Sequence, residues 1–398
     1  MPQASSQTSM TRRLLLMLAA LMTLTPLAVD VTLPAIPAVA EAFGVNVHAA
    51  ELTVSYYLLG FSVGQFIGGP LSDRFGRRRM ILIGLSLFVG GSLSNLLSPS
   101  IESFWVARVV QALGAGLAVV NTGSVVRDLS QGREGAQYMA QVLQVMLFAP
   151  LMAPFIGMGF YKLLGWESVF WALFVYGAVV LTLFAAWFPE TSTQRSPWRP
   201  FSNYIHVIRE RRTWGYLASA GASYALLLGF TVSSPDILMG YFGMSPASFP
   251  FVFAVAVLAM MWMSRLGMKA LKRVTPGKLI WIAQAVQLGG TSLLLIYFSL
   301  FEEHSLWLFL PLIILVLACH SVTIANCTSS TTEFFPTRSG TAMALVGAVG
   351  FGAGGLCGSL ISAFADGTPL SMSLVVWCFV LGGILVRLVW RPDRAAGH

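Results

Sequence analysis

Gly69-Pro70-Leu71-Ser72-Asp73-Arg74-Phe75-Gly76-Arg77-Arg78-Arg79-Met80 straddles the end of one long apolar block, residues 52–71, and the start of the next, 80–98. Its chemistry is that of a tight, charged connection between two helices. Gly69 permits close packing and Gly76 a tight turn. Asp73 can accept a hydrogen bond from a helix N-terminus or from an arginine, latching one face of the molecule. A loop serving only as a solvated spacer has little reason to hold these residue types at this spacing.

The flanking apolar blocks are repeated along the whole chain. Of 398 residues 56% are hydrophobic and 10% charged, against about 25% charged in soluble domains. The apolar residues come in runs of membrane-spanning length rather than as a stripe of period 3.6. The pattern predicts helices over 14–37, 52–71, 80–98, 103–125, 136–160 and 167–188, then 213–235, 248–270, 279–300, 306–328, 340–364 and 370–390. The expected fold class is an all-α membrane protein of twelve transmembrane helices in two pseudo-symmetric six-helix halves, 14–188 and 213–390. Residues 189–212, basic and holding Pro189, Pro197 and Pro200, form the longest connection and a linker between the halves. Residues 1–13 and 391–398 are tails. The second half faintly echoes the opening stretch in Gly267 to Arg273 and Gly277-Lys278, between its own second and third helices.

The formal charge of +8 reports topology rather than nucleic-acid binding. All Lys and Arg except Lys162 and the intramembrane Arg108 fall on the side of the Arg74–Arg79 cluster. This bias places both termini and the linker in the cytoplasm and requires an even number of spans. Arg12-Arg13 before Leu14–Ala28, with Ala38-Val39-Ala40 beyond, also fits a secretory signal. Asp30, Pro34 and Pro37 interrupt that pattern and cleavage would leave an odd number of spans, so the segment is read as a retained first helix. Cys319, Cys327, Cys357 and Cys378 sit inside apolar blocks without CxxC spacing, as small packing residues rather than metal ligands or a disulfide framework.

With Gly69, Asp73, Arg74, Gly76, Arg77 and Arg78 in place, the opening stretch resembles the signature between the second and third helices of the major facilitator superfamily. Asp30-Val-Thr-Leu-Pro-Ala-Ile-Pro37, Arg108-Val-Val-Gln-Ala112, Arg127-Asp128 and Pro189-Glu-Thr191 narrow the resemblance to the bicyclomycin-resistance (Bcr/CflA) branch of the drug:proton antiporters. It covers essentially the whole chain and is densest in the first half. The resemblance implies proton-driven efflux of antibiotics such as bicyclomycin, phenicols or sulfonamides from a bacterial inner membrane. The alternative is export of an endogenous metabolite, such as a nucleoside, an amino-acid derivative or a siderophore, with the same fold and coupling. Antiporter relatives carry a glycine- and proline-rich pattern in the fifth helix. Here Ala153, Pro154 and Gly157 keep part of it, and Met158 replaces its last glycine.

Asp30 and Arg108 are the ionisable residues placed furthest inside predicted spans, where each charge costs at least about 2.5–3.5 kcal/mol. At about 1.5 Å per residue, Asp30 lies roughly 24 Å from the cytoplasmic start of helix one and Arg108 about 8 Å from the opposite start of helix four. In a core about 30 Å thick these depths nearly coincide. A carboxyl whose proton affinity depends on the nearness of a guanidinium can load and release a proton as helices move. A permanent Asp30–Arg108 salt bridge, or Asp30 capping the broken helix before Pro34, remains open at this point. Tyr56, Gln111, Asn121, Gln144, Tyr224, His320 and Asn326 are candidates for a substrate pocket. Gly60, Gly64, Gly68 and Gly350, Gly354, Gly358 form two rows suited to close helix contact, either static packing or sliding between halves.

Gly350–Gly355 has no βαβ context, and neither a Walker lysine nor zinc-spaced histidines occur in the sequence. The chain is expected to be no enzyme and to need neither metal nor cofactor, with the proton gradient as energy source. Its expected partners are a small-molecule substrate, protons and the lipid bilayer, with no nucleic acid, and the working unit is a monomer.

Overall fold

The computed structural model describes residues 10–130, 132–192, 202–335 and 339–390. Most of the expected N-terminal tail, linker residues 193–201, Arg338 and the tail 391–398 lie outside the described residues. Among those described, twelve long helices and no strand are found. Helix one spans Arg12–Phe43 in pieces: Arg12–Met22, Leu24–Asp30, a 3-10 turn Leu33–Ala35 and Ile36–Phe43. Helices two to six are Val47–Phe75, Arg77–Leu96, Ile101–Val119 continuing as Thr122–Leu129, Gly132–Leu164 and Glu167–Trp187. A short linker helix, Ser202–Arg209, leads to helix seven, Arg211–Pro235, which ends in a wider π turn over Asp236–Tyr241. Helices eight to twelve are Phe249–Ala270, Pro276–Leu300, Leu306–Glu333, Ser339–Ala363 and Pro369–Trp390.

Eleven of these, counting described residues, are long and apolar enough to cross a membrane. The other is helix two, 29 residues long. Its apolar surface is diluted by Ser and Gly because protein rather than lipid covers it on two flanks. One flank packs on helix four and the other on helix eleven.

Of the six glycines in the two rows, all but Gly358 pack within their own half rather than between halves. A side chain at Gly60, Gly64 or Gly68 would run into Val109, Leu113 and Leu117 of helix four, inside the same half. Gly350 and Gly354 likewise face Tyr224 and Leu228 of helix seven. The seam between halves lies one helix flank away, where Ser55, Leu59, Ser62 and Gln65 meet Gly358, Gly355, Gly352 and Gly347. It is tied by the Ser62 hydroxyl donating to the Ala348 carbonyl at 2.6 Å. Spacing of four defines a helical face but cannot say which neighbour that face meets.

Helices also outrun their apolar cores. Helix two begins at Val47, capped by the Asn46 side chain, so Glu51 lies inside its first turns at 1% exposure rather than in a connection. Glu51 is therefore more buried than Asp30, which is 8% exposed, although Glu51 lies near a helix end and Asp30 stands out for its depth within a span.

Candidate functional site

The connection between helices two and three closes on Arg77. Gly76 takes φ 97, a backbone region that side-chain-bearing residues rarely adopt. The next residue, Arg77, sends Nη1 to Asp73 Oδ1 at 2.6 Å and to Ser72 Oγ at 3.0 Å, and Nε to Asp128 Oδ2 at 3.3 Å. Its backbone N–H donates to Glu190 Oε1 at 2.9 Å, and Thr191 donates to Asp128 at 3.2 Å. Arg78 donates to the Ala185 carbonyl at 2.7 Å, while Arg74 is exposed beside the Phe75 ring. The Asp73 latch is thus a joint within the first half, gathering the ends of helices two, four and six around one guanidinium. Gly69 lies against the Tyr204 hydroxyl of the linker helix, and that ring also packs on Phe66. Burial and the nearby Asp73 charge hold the Tyr204 phenol above its ordinary range.

Asp73→Asn removes the charge that holds the shortest of these bonds and leaves the apolar packing intact. Transport per molecule in the membrane is expected to fall several-fold with abundance unchanged. Transport normalised to immunoblotted protein checks this, and wild-type turnover at equal abundance would reject the latch.

Helix one is broken beside Asp30 for a local reason. Pro34 and Pro37 lack the N–H groups that the Asp30 and Leu33 carbonyls would otherwise receive. The Thr32 N–H turns to the Val29 carbonyl at 3.2 Å, which leaves the Ala28 carbonyl without its helical donor. Arg108 of helix four fills that place: Nη2 donates to Ala28 O at 3.0 Å, and Nη1 to Gln111 Oε1 at 2.8 Å. The guanidinium lies over the Tyr57 ring at 4.6 Å and is wholly buried, with Nε unpartnered. The two depths do coincide, yet no ion pair joins Arg108 to Asp30. Among the described residues neither an ion pair nor a capping hydrogen bond reaches the Asp30 carboxyl. The permanent salt bridge and the helix cap are therefore both corrected for this conformation. On an α-helix, residues two apart leave opposite flanks, so a guanidinium on the Ala28 carbonyl need not meet Asp30.

Ala153, Pro154 and Gly157 form one buried face of helix five. A side chain at Gly157 would overlap the backbone of Val31, so helix five lies directly on the broken turn next to Asp30.

The expected pocket residues are mostly spent on holding helices together. Gln111 also accepts from Asn95 at 3.1 Å and donates to Ser92 at 2.8 Å, both on helix three. In the second half His320 Nδ1 lies 3.1 Å from Ser223 Oγ, and Gln287 donates to the same hydroxyl at 3.0 Å. These knots are counterparts: helices one, three and four in one half, seven, nine and ten in the other. Tyr224 lies edge-on to His320 at 4.8 Å, so these two are brought together as expected. Asn121 and Asn326 each donate to a carbonyl of their own helix. Tyr56 stands edge-on to Trp105, and Gln144 is exposed on helix five. A polar group in a membrane helix satisfies itself with whatever donor or acceptor is near, and only the packing reveals which.

Sequence reasoning missed four positions. Arg387, expected among the loop cations, is wholly buried and donates to the Gly277 carbonyl at 3.1 Å. Glu51 lies 3.7 Å from His48, which in turn lies 3.9 Å from Asp236, joining helices two and seven on the face away from the Gly69–Met80 connection. Gln65 and Thr122 line a cavity of about 620 Å³ on the near face, between helices one, two, four, five and eleven. None of the seven expected pocket residues lines that cavity. Glu51 carried a signal, an acidic residue five positions after a helix-capping asparagine, and Arg387 another, a charge inside the predicted span 370–390; Gln65 and Thr122 carried none.

The sequence model of the Major Facilitator Superfamily matches residues 18–356. The chain is 27% identical over 380 residues to the bicyclomycin resistance protein homolog of Haemophilus influenzae, across 93% of this chain and 94% of that protein. It is 31% identical over 293 residues to multidrug resistance protein MdtM of Salmonella typhimurium, across 71% of this chain and 69% of that protein. The solved structure of a peptide transporter, POT in complex with sulfate, superposes with a TM-score of 0.72 over 96% of this chain and 95% of that one. At 15% identity this is a likeness of fold.

Proposed function

This chain belongs to the Major Facilitator Superfamily, and on that premise we propose that it exports small organic molecules, antibiotics among them, by alternating access in exchange for protons. The observation that carries the coupling is the pair at the break of helix one, a buried carboxyl and a buried guanidinium that are not ion-paired. A movement of helix one that takes Ala28 O from Arg108 frees a planar, always-charged donor set. That donor set can then turn to the Asp30 carboxylate once its proton has left. Proton release and helix movement are thereby the same event, which is what antiport requires. Resistance proteins among the relatives favour drugs over an endogenous metabolite.

In this reading the energy source is the proton gradient, without a bound cofactor or catalytic chemistry. The protein sits in a bacterial inner membrane and works as a monomer, since both halves and the seam between them belong to one chain. Uptake of a phenicol into inverted vesicles, with internal pH recorded, tests the proposal. Phenicol accumulation with proton efflux supports it, and accumulation that ignores collapse of the pH gradient refutes the coupling.

The basic side is assigned to the cytoplasm. Reporter fusions after Arg212 and at the N-terminus are expected to report cytoplasmic locations, and a fusion after Lys162 a periplasmic one. A periplasmic signal after Arg212 would overturn the orientation.

A further inference from the structure

The cavity beside the Gly69–Met80 connection has apolar walls, with Met22, Met139 and Met343 among them. Unbranched thioether side chains adapt to varied apolar shapes. Its volume, about 620 Å³, falls within the roughly 300–1,000 Å³ of small-molecule sites. Two polar groups on its wall lack partners. The Thr122 hydroxyl, on a residue 1% exposed, makes no hydrogen bond, and neither does the Gln65 side-chain carbonyl. Buried polar atoms left open in this way are stabilised by a ligand that supplies the missing bond.

The charge on the wall has one sign. Among the described residues Arg127 lines the cavity and no Asp or Glu does. Asp73 and Asp128, the two carboxylates whose charge acts on Arg127, are shared with Arg77, which bonds them at 2.6 and 3.3 Å. Arg127 itself bonds two hydroxyls, Ser124 at 3.2 Å and Ser339 across the seam at 3.3 Å. Its field is offset only from behind, by carboxylates that Arg77 also engages, and no carboxylate among the described residues faces it across the cavity.

We propose that this cavity is the substrate site in the present conformation and that it selects neutral or anionic amphiphiles against cations, with Thr122 and Gln65 bonding the polar end and Arg127 setting the charge preference. This rests on the export reading above and adds the substrate class to it. A quaternary cation seated here would meet Arg127 with no carboxylate among the described wall residues to pair with, whereas an uncharged acceptor would gain a charge-assisted bond.

The test is equilibrium binding of three probes to the purified full-length protein, a neutral phenicol, a carboxylate-bearing aromatic dye and tetraphenylphosphonium, followed by vesicle transport of the same probes. The phenicol and the dye are expected to bind at least about tenfold more tightly than the phosphonium, as one opposed charge in a partly buried site implies. Arg127→Gln should shrink that ratio about tenfold, and Arg127→Lys should keep it. Thr122→Val should weaken phenicol binding about three- to tenfold, the scale of one hydrogen bond, without altering the charge ratio. Tetraphenylphosphonium binding as well as the phenicol, or a ratio unmoved by Arg127→Gln, overturns the proposal. Selective binding without uphill transport would leave the site intact and refute the export reading instead.

Discussion

Asp30→Asn abolishes uphill efflux while leaving a folded protein in the membrane. Asparagine is close in shape to a protonated aspartic acid, so the broken turn, its packing on Gly157 and the Arg108–Ala28 bond all survive the change. What disappears is the ability to give up a proton. Gradient-driven transport is expected to fall by about 10²-fold or more, the scale of losing an essential proton-transfer group. Downhill exchange of substrate should persist and lose its dependence on pH. The measurement is counterflow and pH-driven accumulation in the same vesicle preparation. Unchanged, pH-dependent accumulation by the variant would assign Asp30 a structural role.

Arg108→Ala produces the larger loss of stability. Two charge-assisted bonds go with the guanidinium, leaving the Ala28 carbonyl only the long 3.4 Å bond from the Thr32 hydroxyl and the Gln111 side-chain carbonyl only its bond from Asn95. At about 1.5–3 kcal/mol per bond to a charged group, the variant should unfold at a clearly lower temperature in detergent and reach the membrane in reduced amount. Arg108→Lys keeps the charge but not the fork, and a single ammonium cannot hold both acceptors in this geometry. It should therefore be intermediate in stability and shifted in pH optimum. The order Arg, Lys, Ala in both melting temperature and transport is the expected result. Equal stability of Arg108→Ala and the wild-type protein would mean that the bond to helix one contributes nothing to the fold.

Much of the architecture is legible along the chain because the bilayer imposes a one-dimensional rule. Each span needs about twenty apolar residues, every backbone group must be bonded within its own helix, and basic residues accumulate on one side. Helix number, the two halves and the Gly69–Met80 joint follow from that rule and from the spacing of Asp73, Gly76 and Arg77. So does the common depth of Asp30 and Arg108, which needs only the rise per residue.

Rotation of each helix about its own axis is not in that code. It decides that Gly64 faces helix four rather than the other half, and that Gln111 and His320 tie helices together. It also sends Arg108 to the carbonyl freed by the proline break rather than to the nearby carboxyl. Glu51, buried just before its apolar run, Arg387, buried in the last turn of its own, and the open hydroxyl of Thr122 depend on where neighbouring helices stop. The sequence by itself determined how many helices cross the membrane, in what order and with which charges at what depth. Only the tertiary structure decided which of those groups meet, because a contact between helices is set by the packing of both partners and is encoded in neither alone.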